Sequence, residues 1–234
     1  MAASINIPND AMRAILRGFV DRVDVWKSAG SSYYRVVDYK TGKKDFDYCD
    51  VFNGIGLQML LYLFALESGG ENILGPHPTS AGVQYFPARS PLMSTDSRLS
   101  EEESALEREK LWKRKGILLR DEDVLHAMDP DEKLKRLDCD IKKDGTITGY
   151  VADREQLRQL RKYVFMTLGK IVDEIASGNV DPNPYTRGTS HDACSYCPYG
   201  SVCHQAEVPG RRNYKTMTAE RFWEEIGKEL NRNG

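Results

Sequence analysis

The segment Tyr33-Tyr34-Arg35-Val36-Val37-Asp38-Tyr39-Lys40 limits this chain more than any other. Its β-branched and aromatic residues read as a strand. A carboxylate and a lysine nevertheless stand at its apolar end. Charge in such a setting is costly unless it is partnered, so Asp38 needs a partner or a task. Ala14 to Trp26, also rich in Val and Ile, predicts a preceding strand. Ser28-Ala29-Gly30-Ser31-Ser32 predicts the turn of an antiparallel hairpin between them. Asp45 to Asn53 reads as a polar connection. Ile55 to Glu67 reads as a helix with Leu57, Leu60, Leu61 and Phe64 in one apolar stripe. Ala81 to Phe86 predicts a third strand, stopped by Pro87. The order strand, strand, helix, strand implies an α/β fold with a mixed sheet flanked by helices.

A polar, insertion-like region follows, at about residues 90–150. Ser100 to Lys115 predicts a charged helix, and Asp121 caps a short helix ending at Met128. Leu137 to Thr148 predicts a hairpin turning at Asp144-Gly145. Asp153 to Ser177 reads as a long amphipathic helix stopped near Gly178. From Asp181 the chain is rich in Pro, Gly, Tyr and Cys, and Thr218 caps a last helix to Leu230. The expected division is a core at 5–180 and a cysteine-bearing tail with its helix at 181–234.

Bulk properties exclude some classes. The 234 residues carry a formal net charge of −2, so a basic protein that coats DNA is excluded. Nucleic-acid binding would need a local patch, such as Lys40, Lys43 and Lys44, or Lys113, Arg114 and Lys115. No window approaches the roughly 18 apolar residues of a membrane span. The first residues lack a signal peptide's charged and apolar regions, which makes the cytoplasm the default location. Five cysteines, an odd number, argue against a disulfide scaffold.

Asp21 and Asp38, on adjacent strands, can converge on one divalent cation. Mg²⁺, or Mn²⁺ in its place, takes oxygen ligands from one or two carboxylates plus water and phosphate. Alternation puts Asp38 and Lys40 on one face of their strand and Tyr39 on the other. The Tyr39 backbone carbonyl can add a further oxygen, and Lys40 can polarise a phosphate. Gln58 and Tyr62 are i and i+4 on the helix, so they share a face. Gln58 could orient water or a metal-bound group while Tyr62 touches a DNA backbone. The plainer alternative packs Tyr62 as a hydrophobe at the core's edge.

Gly18-x-x-Asp21, Asp38-Tyr39-Lys40 and Gln58-x-x-x-Tyr62 together resemble the RecB-type branch of the PD-(D/E)XK nuclease superfamily. Cys194-x-x-Cys197 followed by Cys203, after a Pro-Tyr segment and before Arg211-Arg212, is similar to the C-termini of the AddB-type nuclease subunits of bacterial helicase–nucleases. The resemblance runs from Leu16 to about Ile226. It implies a restriction-endonuclease-like fold and a Mg²⁺-dependent deoxyribonuclease, an exonuclease acting on single strands during processing of double-strand breaks. An AddA-like partner subunit is implied with it. Asp21 and Asp38 resemble the metal ligands, Lys40 the catalytic lysine, and Gln58 and Tyr62 the supporting pair. Cys194, Cys197 and Cys203 resemble three ligands of an iron–sulfur cluster. The family's fourth cluster cysteine, and an upstream helix that often supplies another metal ligand, precede the matching region. The chain is therefore expected to be the C-terminal domain of a longer protein.

Other readings stay open on the residues alone. Cys194, Cys197 and Cys203 with His191 or His204 would make a Cys₃His zinc set, or the three could be free thiols. The chain could also be a non-catalytic DNA-end-binding scaffold, or a stand-alone exonuclease of the CRISPR-adaptation or phage type.

Overall fold

A computed structural model describes residues 2–7, 12–28, 30–75, 77–89, 99–188, 191–203 and 211–232. Among these residues the strands are, in chain order, β1 Ala2–Ile7, β2 Ala14–Phe19, β3 Arg22–Ser28, β4 Ser31–Lys40, β5 Pro78–Pro87, β6 Lys115–Leu119, β7 Cys139–Ile141, β8 Ile147–Gly149, β9 Val151–Ala152, β10 Tyr185–Arg187, β11 His191–Asp192 and β12 Arg212–Asn213. The helices are α1 Tyr48–Phe52, α2 Gln58–Gly69, α3 Glu71–Leu74, α4 Glu101–Leu111, α5 Glu122–Met128, α6 Arg154–Ala176, α7 Gly200–Cys203 and α8 Ala219–Arg232.

The central sheet has the order β3-β4-β5-β6-β9. The β3–β4 and β5–β6 pairs are antiparallel, and β4–β5 and β6–β9 are parallel. It is therefore a mixed sheet with helices packed on it, as the element order implies. One face lies under α2, where the buried Tyr34 hydroxyl donates to the Leu63 carbonyl at 2.8 Å. Every α2 residue from Met59 to Leu66 is buried. Such a helix fills a core and has no polar face there. The opposite face is covered in part by α5 and the β7–β8 hairpin, through Leu118, Leu125, Leu134, Leu137, Cys139 and Val151. Among the described residues no helix is long and apolar enough to cross a membrane.

Several elements differ from their sequence patterns. Ala14 to Trp26 is two strands, broken at Val20-Asp21. β2 pairs with β1 in a separate two-stranded ladder, and β3 belongs to the central sheet. One apolar alternation thus serves two ladders. The connection from Asp45 to Asn53 contains α1, capped by Asp47, with Tyr48, Cys49 and Val51 buried. A helix this short cannot show helical periodicity. The helix expected to reach Lys115 stops at Leu111, and Lys115–Leu119 is a central strand. Gly82 and Gly116 allow that strand to approach. A Cβ on either would collide with the backbone carbonyl of Ile117 or Val83 across the ladder.

The caps at Asp121 and Thr218 match the sequence, and a further one, a capping box of Asp153 with Gln156, opens α6. Asp121 accepts from the Val124 amide. Thr218 Oγ1 accepts from the Arg221 amide at 3.3 Å. α8 packs into the main core through Phe222 and Ile226, both 0 % exposed. The tail forms a small sheet of order β11-β10-β12. It is tied to α1 by Arg187, whose Nη1 lies 2.8 Å from Asp47 Oδ2 and Nη2 3.5 Å from Asp50 Oδ1.

Candidate active site

β4 carries the central residues because its apolar half fixes it in the sheet. Val36 and Val37 are fully buried, and Asp38 next to them is 7 % exposed. The Lys40 ammonium lies 2.6 Å from Asp38 Oδ2. That oxygen is buried and accepts no hydrogen bond of acceptable geometry, so the contact is an ion pair only. Arg22 lies opposite Val37 in the β3–β4 register, which sets Asp21 beside Asp38 at the same end of the hairpin. The Tyr39 amide donates to Asp21 Oδ2 at 3.3 Å. Asp21, Asp38, Tyr39 and Lys40 thus share one strand end.

Gln58 opens α2 and donates from Nε2 to the Tyr62 hydroxyl at 3.0 Å. Tyr62 is 8 % exposed, so it packs as well as hydrogen-bonds. Its ring lies against Gly18, where a Cβ would come within 2.5 Å of Tyr62 Cε1 and 2.6 Å of its hydroxyl. The glycine three residues before Asp21 therefore makes room for the tyrosine. This contact joins the first sequence motif to the third, and the Gly-x-x-Asp spacing was its only sign in the sequence. Tyr85 carried no such sign. It sits across from Asp38 on β5. Burial, and then the Asp38 charge, push its phenol up to about 12.

A divalent cation would find two carboxylates and a backbone carbonyl here, all hard oxygen donors. The hydrogen-bond-free oxygen of Asp38 fits that use. Among the described residues, no three His, Cys, Asp or Glu side chains gather into a metal-binding group. This holds for the tail as well. Cys194 is half-buried, and Cys197 and Cys203 are exposed. The Asp192 carboxylate accepts from the Cys194 amide and pairs with Arg211, each at 2.8 Å. Burial and then the Asp192 charge push the Cys194 thiol up. Three thiols fall short of the four that an iron–sulfur cluster commonly takes. His204 and the side chain of His191 lie outside the described residues.

The model of the PD-(D/E)XK nuclease superfamily matches residues 4–204. The chain belongs to the PD-(D/E)XK nuclease superfamily. Three relatives carry names that make each a subunit of an ATP-dependent helicase/deoxyribonuclease. That of Thermoanaerobacter sp. (strain X514) is 35% identical over 227 residues, covering 94% of this chain and 20% of the relative. That of Acetivibrio thermocellus is 38% identical over 207 residues, covering 86% and 18%. That of Clostridium acetobutylicum is 33% identical over 233 residues, covering 97% and 20%. The chain spans about a fifth of the length of these relatives. The AddB-type resemblance read from the motifs and the PD-(D/E)XK fold class both stand.

Proposed function

We propose that this chain is the nuclease domain of a helicase–nuclease, hydrolysing phosphodiester bonds of DNA, mainly in single strands, beside an AddA-like partner. The observation that carries the reading is the buried Asp38 paired with Lys40, at the strand end where Asp21 holds the Tyr39 amide. The names of the relatives support the DNA substrate and the helicase context.

Asp21, Asp38 and the Tyr39 carbonyl would hold Mg²⁺ or Mn²⁺. When bound, the cation lowers the pKa of water and offsets charge developing on the attacked phosphorus. Lys40 is free to leave Asp38 once the carboxylate has another cation. Its ammonium then serves the phosphate or steers the attacking water. Gln58 orients water or a metal-bound group and Tyr62 touches the strand backbone, with Gly18 leaving room for the ring. Lys40→Ala tests this directly. It should lower cleavage of labelled single-stranded DNA by about 100- to 1,000-fold, with the far-UV circular dichroism unchanged. An unaltered rate would remove Lys40 from the chemistry.

Cys194, Cys197 and Cys203 are proposed to supply three of the four thiolates of an iron–sulfur cluster, the fourth coming from elsewhere in a longer protein. Iron and acid-labile sulfide in that longer protein, both lost in Cys197→Ala, are the expected result. Stoichiometric zinc without sulfide would refute the cluster.

A further inference from the structure

The face of the sheet opposite Asp38 and Lys40 carries a group of arginines that nothing in the proposed chemistry uses. Tyr39 points to that face and pairs with Phe86 on β5. The two rings meet edge to face at 5.9 Å. Three guanidinium groups surround Phe86, with Arg114 at 4.3 Å, Arg35 at 5.6 Å and Arg22 at 5.8 Å from the ring centre. Phe86, Pro87, Trp112, Arg114 and Arg136 line a pocket of about 230 Å³.

The carboxylates nearby are already engaged. Asp24 holds both Arg22 and Arg35. Asp129 Oδ2 accepts the Arg136 backbone amide at 2.8 Å. Among the described residues neither Arg114 nor Arg136 has an ion pair with a carboxylate, and the Arg114 amide joins the two by donating to the Arg136 carbonyl at 2.8 Å. Burial, then the charges of Arg35 and Arg136, lower the pKa of Arg114 against the opposing pull of the Asp129 carboxylate. Half-buried positive charge with no carboxylate in ion-pair contact can take an anion. Gln84, wholly buried on this face, uses its oxygen for Arg35 and has no partner for Nε2. Trp112, 44 % exposed at the pocket's rim, offers a flat face. Guanidinium forks beside exposed aromatic rings suit a strand of phosphates and unstacked bases.

We propose that the Phe86–Trp112–Arg114–Arg136 pocket is a second binding site for single-stranded nucleic acid, taking a phosphate on the two arginines and a base on Trp112. It rests on the reading of this chain as one that acts on DNA strands. The site shares the strand end of β4 with the cutting centre, so it holds a strand on the far side of the sheet while Lys40 works on the near side.

Fluorescence anisotropy with a labelled oligothymidylate of roughly twelve nucleotides, in EDTA to prevent cutting, tests the proposal on the whole chain. Arg114→Gln with Arg136→Gln should weaken binding by about tenfold or more and make the salt dependence shallower by about one to two phosphates. Trp112→Ala should weaken it by about tenfold, and Trp112→Phe should retain most of the affinity. Cleavage of a p-nitrophenyl phosphodiester of a single nucleotide, which has no second nucleotide to place in the pocket, should proceed at the wild-type rate in all three. Unchanged affinity and salt slope in both the arginine and the Trp112→Ala variants, with circular dichroism showing intact folds, would overturn the site. So would an oligoglutamate peptide that binds through these residues where oligothymidylate does not, which would make the pocket a seat for an acidic protein segment. If oligothymidylate binds through the pocket while Lys40→Ala cuts normally, the catalytic assignment fails and this site stands.

Discussion

Asp38→Asn should lower strand cleavage by at least about 100-fold, equivalent to about 2.7 kcal/mol of transition-state stabilisation, with the fold preserved. Asparagine keeps the size of the side chain but removes the charge that would hold a cation. It also releases Lys40, whose ammonium lies 2.6 Å from the carboxylate. The lysine side chain is 35% exposed, so it can turn to water, and the stability cost should be below about 1 kcal/mol. Cleavage kinetics and a urea melt on the same preparation separate the two effects. Wild-type kinetics would show that Asp38 is only an ion-pair partner.

Phe222→Ala should destabilise the protein by about 3–5 kcal/mol, the usual cost of emptying a buried aromatic site. Phe222 is 0 % exposed on α8. Its ring lies 4.7 Å from Tyr48 on α1 and 4.8 Å from Trp223. Truncation therefore leaves a cavity and loosens α8 from α1, the element that also receives Arg187 from the tail. Phe222→Leu, which keeps most of the volume, should cost about 1.5 kcal/mol or less. Equilibrium urea unfolding of both variants measures the difference. Equal, small losses would mean that α8 is an appendage and not part of the core.

The motif residues were readable because strand alternation and helix spacing dictate which side chains share a face. Asp38 beside Lys40, and Gln58 beside Tyr62, follow from periods of 2 and 3.6 alone. The break at Val20-Asp21 was not readable, since both halves carry the same apolar alternation and only pairing partners separate them. β6 was hidden because Lys115 extends a charged helical run while Gly116 breaks it, and the need for glycine there comes from the Val83 carbonyl on another strand. Tyr85 beside Asp38 depends on the parallel β4–β5 register, and the Phe86–Arg114 contact on the antiparallel β5–β6 register, and each joins segments far apart in the sequence. Local pattern carries no information about such a pairing. The caps at Asp121 and Thr218 were readable for the converse reason, as each is a hydrogen bond within one turn of sequence.

On the proposed function, this strand end cuts DNA with a divalent cation held by oxygen ligands. The most direct test is the cleavage of end-labelled single- and double-stranded DNA by the purified chain across a metal series. Cutting is expected with Mg²⁺ or Mn²⁺, with preference for the single strand, and none with Ca²⁺, which is larger and accepts looser coordination. Robust cutting in EDTA, or equal rates with Ca²⁺ and Mg²⁺, would contradict it.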